Sequence, residues 1–130
     1  MSKPTTFKPP LSQPVFYVLL ALVPQERHGY GIMRGANDLS LGEMTIAPGT
    51  VYPLLARLTE AGLVKSIGYS ATANRDAPRK HYALTPQGLI LIKSELRRLR
   101  HAVAVGEANG LFLDELPLDI QLLLAEAGRT

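Results

Sequence analysis

The chain has 130 residues, of which 46% are hydrophobic and 19% are charged. This length is that of one ordinary domain, and the composition is too apolar for a disordered chain. Because the sequence contains no cysteine, disulfides, thiolate metal sites and cysteine nucleophiles are excluded. The three histidines and the scattered carboxylates form no cluster, so we expect no metal site and no cofactor.

Targeting and membrane signals are not found in the sequence. The first ten residues are polar and rich in proline, unlike a secretory signal. The longest apolar run, Val15–Val23, is too short to span a bilayer. We therefore expect a cytoplasmic protein without a membrane partner.

Charge is distributed unevenly along the chain. Residues 1–88 carry nine basic and five acidic side chains, and residues 89–105 carry four basic and one acidic. Residues 106–130 reverse this balance, with one basic and five acidic side chains. A basic body suits a polyanion such as nucleic acid, while an unevenly charged solvated surface is the alternative explanation.

The first predicted helix follows an extended, proline-rich arm. Ser12 is a predicted N-cap, and Pro14 lies close to the first helical position. The run Val15–Val23 is apolar on nearly all sides, which predicts a deeply buried helix that ends before Pro24.

Two further helices joined by a turn are predicted next. The first runs from about Tyr30 to Asp38, and Gly42 allows the turn after it. The second opens near Pro48 and ends at Gly62 as a left-handed cap. Its apolar residues repeat every 3.6 positions and are expected to face inward: Val51, Leu54, Leu55 and Leu58. Its other face carries Thr50, Tyr52, Pro53 and Arg57. This order is a helix-turn-helix pattern.

The next segments predict a basic hairpin and a long helix. Leu63–Tyr69 and Arg79–Leu84 alternate around the polar turn Ser70–Pro78. Thr85 is a predicted N-cap, with Pro86 at the first helical position. A heptad seam then follows: Leu89, Ile92, Leu96, Leu99 and Val103.

The end of the chain, Leu111–Gly128, is far more apolar than a free tail in water. We expect it to be buried against a second copy of the chain, with packing onto its own domain as the alternative. The predicted dimer contacts are Leu96, Leu99, Val103, Leu113, Leu116, Ile120, Leu123 and Leu124.

Four blocks of sequence resemble the PadR family of bacterial transcriptional regulators over about residues 12–105. They are His28-Gly29-Tyr30-Gly31-Ile32, Gly49-Thr50-Val51-Tyr52-Pro53-Leu54-Leu55-Ala56-Arg57-Leu58, Glu60-Ala61-Gly62-Leu63-Val64 and Lys80-His81-Tyr82-Ala83-Leu84-Thr85-Pro86-Gln87-Gly88. The resemblance implies a winged helix, a homodimer that binds operator DNA and usually represses, and in many members a phenolic or other small aromatic effector. The absence of tryptophan excludes an effector pocket built on stacked Trp rings.

The predicted fold is therefore mainly α with a small β-hairpin. We expect an extended arm over residues 1–11, a winged helix-turn-helix DNA-binding domain over 12–88 and a C-terminal helical dimerisation region over 89–130. The start of the recognition helix offers free backbone N–H groups to phosphate, and the wing adds basic side chains. The predicted DNA-binding residues are Tyr30, Gly49, Thr50, Tyr52, Arg57, Arg75, Arg79 and Lys80.

The predicted function is a homodimeric repressor of an inverted-repeat operator in double-stranded DNA, with a small aromatic or phenolic molecule as candidate effector. The alternative is a winged-helix module for protein–protein contact. The basic residues retained in the wing and recognition helix argue against that alternative. An enzyme is not expected, because no Ser, His and acidic residues form a pairing suited to catalysis. The sequence names neither the operator nor the effector.

Overall fold

The computed structural model describes residues 7–70, 79–111 and 118–127. Its elements are α1 (Gln13–Ala21), β1 (Arg27–His28), α2 (Gly29–Leu39), α3 (Pro48–Glu60), β2 (Val64–Ser70), β3 (Arg79–Leu84), α4 (Pro86–Ala108) and α5 (Leu118–Ala127). The chain divides into two compact units, Met1–Glu95 and Leu96–Thr130. Within the described ranges, every helix is too short or too polar to cross a membrane.

The first unit is a winged helix, which confirms the predicted fold class. Its antiparallel sheet has the strand order β1-β3-β2. The pairing of β2 with β3 confirms the predicted hairpin. Strand β1 was not predicted from the sequence: Arg27 pairs with Tyr82 and His28 pairs with His81. This edge strand joins the entrance of α2 to the wing.

The hairpin contains a β-bulge that the alternation did not predict. The register between β2 and β3 shifts between Ser66 and Gly68, and Gly68 has a φ of 108°. An extra residue in one strand changes the direction of the side chains beyond it. Ile67, expected on the same face as Leu63, is accordingly 39% exposed.

The predicted helix-turn-helix is confirmed by α2 and α3. The four apolar residues expected to face inward from α3 are all buried: Val51, Leu54, Leu55 and Leu58. Gly62 follows the helix with a φ of 78°, as the predicted left-handed cap requires. Pro53 lies inside α3. Since proline has no N–H, it removes one backbone hydrogen bond from that helix.

Two polar side chains fix the turn between α2 and α3. The Ile46 N–H donates to Oδ1 of Asn37 at 2.7 Å, and Nδ2 of Asn37 donates to the Ile46 carbonyl at 3.2 Å. The buried Ser40 hydroxyl lies 2.8 Å from the Asn37 carbonyl and 3.0 Å from that of Met44. The turn therefore has internal partners for its backbone groups, which holds α3 at a defined angle to α2.

One threonine joins the end of the helix-turn-helix to the start of α4. The Thr85 N–H donates to the Leu63 carbonyl at 3.1 Å, and its hydroxyl donates to the Gly62 carbonyl at 2.6 Å. The same hydroxyl accepts from the Gly88 N–H at 3.0 Å, which confirms the predicted N-cap. We call these three hydrogen bonds the Thr85 clasp.

A buried carboxylate holds the chain that precedes α1. The Leu11 N–H donates to Oε2 of Glu95 at 2.6 Å, and Glu95 is only 2% exposed. Phe7 and Leu11 also pack against the hydrophobic core. The described part of the predicted arm therefore lies on the folded unit. At the start of α1, the predicted Ser12 cap is confirmed by a 3.4 Å hydrogen bond from the Val15 N–H to the Ser12 hydroxyl.

Gly88 has no room for a side chain. A Cβ at this position would overlap the Leu63 carbonyl oxygen and lie 2.8 Å from Cδ1 of Leu84. We therefore expect Gly88→Ala to lower the free energy of unfolding by about 2 kcal/mol or more, because the backbones must separate. Chemical denaturation followed by circular dichroism measures the change.

Gly106→Ala is the matched control, since it lies in the same helix and a Cβ there would meet nothing within 4 Å. It should stabilise the helix by about 0.5–1 kcal/mol. Equal stability of Gly88→Ala and the wild type would contradict the close packing of α4 on the Leu63 backbone.

Candidate nucleic-acid interface

A groove in the first unit collects residues from the recognition helix, the α2 entrance and the wing. It has a volume of about 280 Å³ and is lined by His28, Gly29, Tyr30, Tyr52, Arg79, Lys80 and Tyr82. We call it the basic groove. It brings together four of the predicted DNA-binding residues, Tyr30, Tyr52, Arg79 and Lys80. The Arg79 guanidinium and the Lys80 ammonium group lie beside tyrosine hydroxyls, and all of these groups can donate hydrogen bonds to a phosphate.

The Tyr52 ring packs directly against Gly29, and a side chain at position 29 would leave no room for it. A Cβ on Gly29 would overlap Cε1 of the Tyr52 ring and lie 3.2 Å from its hydroxyl oxygen. The Tyr52 side chain nevertheless remains 49% exposed. Its ring is thus packed against the start of α2 while much of it faces solvent.

The remaining predicted residues of the recognition helix lie exposed on α3 but do not line the basic groove. Gly49, Thr50 and Arg57 are all exposed. The N-cap residue of α3, Ala47, provides no side-chain hydrogen bond. The first turn of α3 offers fewer free backbone N–H groups to a phosphate than expected, because Pro48 has no N–H and the Thr50 N–H donates to the Ala47 carbonyl at 2.9 Å.

The wing contributes its basic residues from the first positions of β3. Arg79 and Lys80 are exposed, and Nζ of Lys80 lies 5.7 Å from the centre of the Tyr82 ring. This distance allows a cation–π contact, which limits the freedom of the lysine side chain. Arg75, the third basic residue predicted for the wing, lies outside the described residues.

His28 caps the start of α2. Its Nδ1 accepts a 3.0 Å hydrogen bond from the Gly31 N–H. Its ring lies edge-on to that of His81, with centres 5.8 Å apart. Burial lowers the pKa of His28 below its usual 6.5, and the nearby charges of Arg79 and His81 lower this pKa further. The acceptor role requires an unprotonated Nδ1, which agrees with that direction.

The predicted dimer residues fall in the second unit. Among those with described side chains, Leu96, Leu99, Val103 and Leu123 are all exposed in the single chain. Leu113 and Leu116 lie outside the described residues. Ile120 and Leu124 belong to α5, but their side chains are not described. The seam residue Ile92 instead belongs to the core of the first unit.

Sequence reasoning missed three residues that shape the site. Asn37 and Ser40 fix the turn before α3, and His28 caps the helix that holds Tyr30. A histidine directly before a Gly-rich helix start could have signalled the cap. In the described part of the chain, no three His, Asp or Glu side chains lie close enough together to hold a metal ion.

Comparison with protein families decides which class this fold belongs to. The model of the transcriptional regulator PadR-like family matches residues 18–94, which include α2, α3 and both strands of the wing. The chain belongs to the PadR-like family of transcriptional regulators. Members of this family are regulators of transcription and not enzymes. Among curated proteins, none is similar enough in sequence to count as a relative.

Solved structures of transcriptional regulators, two of them described as PadR proteins, share the fold. A PadR-family regulator from Clostridium difficile has 24% sequence identity and a TM-score of 0.62, covering 75% of this chain and 97% of that protein. A transcriptional regulator from Clostridium thermocellum has 23% identity and a TM-score of 0.59, covering 73% and 87%. Bacillus subtilis PadR, solved in complex with operator DNA, has 22% identity and a TM-score of 0.56, covering 63% and 45%.

The cap on α2 of this PadR-family protein predicts a pH-dependent stability. The unfolded chain takes up a proton at His28 near the usual pKa of 6.5, whereas the folded chain does so only at lower pH. The free energy of unfolding should therefore fall as pH is lowered through 6.5, until the folded pKa is passed. Denaturation midpoints measured from about pH 7.5 to about pH 5.5 follow this change.

His28→Ala should remove this contribution to the pH slope and cost about 1 kcal/mol at neutral pH through the lost cap. His101→Ala, an exposed substitution on α4, is the control and should keep the slope. An unchanged slope in His28→Ala would show that His28 does not titrate differently in the folded state.

Proposed function

We propose that this PadR-family protein is a homodimeric repressor that binds an inverted-repeat operator in double-stranded DNA. The observation that carries the proposal is the basic groove, in which Arg79 and Lys80 of the wing meet Tyr52 of α3. Operator DNA in the crystal structure of Bacillus subtilis PadR supports the same class of partner.

In this proposal, the groove and the start of α3 bind DNA together. Phosphate oxygens accept from Arg79, Lys80 and the tyrosine hydroxyls, which sets the orientation of the protein on the duplex. The exposed first turn of α3 enters the major groove, where Thr50 and Tyr52 approach base edges and Arg57 approaches a phosphate. We also propose that residues 1–11 form an arm, residues 12–88 the DNA-binding domain and residues 89–130 the dimerisation region.

The homodimer rests on a different observation. Leu96, Leu99 and Val103 repeat at heptad spacing on α4, and each is exposed in the single chain. A contiguous apolar seam on a helix is stabilised by burial against a second helix, and a second copy of the chain supplies an identical seam. Two-fold symmetry then places two recognition helices in major grooves about 34 Å apart, which requires an inverted repeat.

The proposed regulator acts in the cytoplasm, where its DNA target lies. A small aromatic or phenolic effector would release the operator by binding one dimer geometry more tightly than the other.

Binding of DNA should be tested with duplex from upstream of the protein's own gene and with a scrambled duplex. We expect the native duplex to bind more tightly, with a steep loss of affinity between about 50 and 200 mM salt. Changing Arg79 and Lys80 together to Ala should lower affinity for both duplexes. It should also reduce the log–log salt slope by about 3.6, because two phosphate contacts are removed from each of the two protomers. Fluorescence anisotropy measures both quantities.

The matched control removes two exposed charges from α4 instead, as Lys93→Ala with Arg100→Ala. It should leave the salt slope near that of the wild type. Equal binding of the two duplexes by the wild type would contradict the proposal that the protein recognises a specific DNA sequence. Binding of neither duplex would favour the protein–protein module instead.

The dimer seam makes a separate prediction. Leu99, 37% exposed in the single chain, becomes a buried contact in the proposed homodimer. Leu99→Glu should therefore convert the dimer to monomer, because an unpaired carboxylate would be placed in an apolar interface. Sedimentation velocity over a range of concentrations measures the masses. Ser94→Glu makes the same charge change on another face of α4 and should stay dimeric. A wild type that is monomeric at every concentration would overturn the proposal.

A further inference from the structure

A second pocket lies between the end of α1 and α2, and it differs chemically from the basic groove. Its volume is about 480 Å³, within the range of about 300–1,000 Å³ usual for small-molecule sites. Its apolar lining is aliphatic: Leu20, Ala21, Val23, Pro24 and Leu39. The polar lining consists of Arg27 and Asp38, with Gly35 beside them.

Arg27, which lines this pocket, carries a donor without a partner. Its Nε is buried, and no acceptor lies within hydrogen-bond distance of it in the described part of the chain. Buried charged donors without a partner are rare in folded proteins, because each costs the full desolvation of that group. A site with such a donor and an aliphatic wall suits an anion that carries an aliphatic chain.

The Arg27 guanidinium packs closely against Gly35. A Cβ on Gly35 would lie 3.2 Å from Nη1 of Arg27 and 3.4 Å from Cβ of Ala21. The guanidinium therefore lies against α2 next to α1, where even an alanine at position 35 would require it to shift by a few tenths of an ångström. A side chain at position 35 would move the guanidinium and narrow the pocket.

The pocket and the basic groove use neighbouring residues of β1 for different purposes. Successive side chains of a strand point to opposite sides, and Arg27 lines the pocket while His28 lines the groove. The pocket and the basic groove therefore lie on opposite sides of β1, and ligand binding to the pocket can be measured in the absence of DNA.

We propose that this pocket binds an aliphatic monocarboxylate, with the carboxylate accepting from the guanidinium of Arg27 and the chain lying on the aliphatic wall. Asp38 is exposed where it lines the same pocket, so its charge favours a monoanion over a dianion such as phosphate. This site goes beyond the proposed function and does not depend on it.

The test titrates the DNA-free full chain with hexanoate, hexanol and hexylamine, followed by two-dimensional NMR of the backbone amides. Hexanoate should bind saturably and shift the amides of Ala21, Arg27 and Gly35 most. Hexanol and hexylamine should bind at least tenfold more weakly, since neither provides a negatively charged acceptor. Equal binding of hexanoate and hexanol, tighter binding of hexylamine, or shifts centred on Tyr52 and Lys80 would each overturn the proposal.

Two variants separate the guanidinium from the cavity. Arg27→Met should weaken hexanoate binding roughly tenfold or more, because the charged donor is lost while most of the side-chain volume stays. Gly35→Leu should abolish binding by filling the pocket, and leucine is favourable within a helix. Arg34→Met removes an exposed charge from α2 that does not line the pocket, and it should bind like the wild type. Wild-type affinity in either Arg27→Met or Gly35→Leu would refute the site.

Discussion

The Thr85 clasp is the constraint on which the geometry of the winged-helix unit depends. The Thr85 hydroxyl donates to the Gly62 carbonyl, in the turn that ends α3, and it also caps α4. The C-terminal ends of α3 and β3 are therefore connected through this one residue. Gly88 allows this approach because a side chain there would occupy the space of the Leu63 carbonyl. A surface that contacts a rigid duplex needs its separate elements fixed relative to one another, and the clasp supplies one such fixed point.

Two other contacts keep the basic groove ordered although it lies at the surface. Asn37 bonds both backbone groups of Ile46, which sets where α3 begins. Strand β1 then ties the entrance of α2 to β3 through the pairing of His28 with His81. Arg79, at the start of β3, is thereby placed near the helices rather than on a free hairpin. Ordering these groups in advance reduces the entropy that binding must overcome.

Local patterns in the sequence were sufficient for α1, α3 and α4 and for the caps at Ser12, Gly62 and Thr85, but not for the His28 cap of α2. The spacing of Leu54, Leu55 and Leu58 predicted the buried face of α3, and Thr85 followed by Pro86 predicted the start of α4. The strand β1 could not be predicted in this way, because two residues carry no periodicity and their partners lie far along the chain. The roles of Asn37 and Ser40 were missed for a related reason, since both depend on where the turn places its backbone.

The contact between Gly29 and the Tyr52 ring has a consequence for how this interface can evolve. The two positions share one volume, so any side chain at 29 requires a smaller or displaced residue at 52. If Tyr52 is replaced first by a smaller residue, position 29 can then accept a side chain. If Gly29 is replaced first, the intermediate protein carries a displaced Tyr52 ring on α3. Substitutions at position 52 are thus constrained in their order relative to those at position 29, and the pair should vary together among descendants.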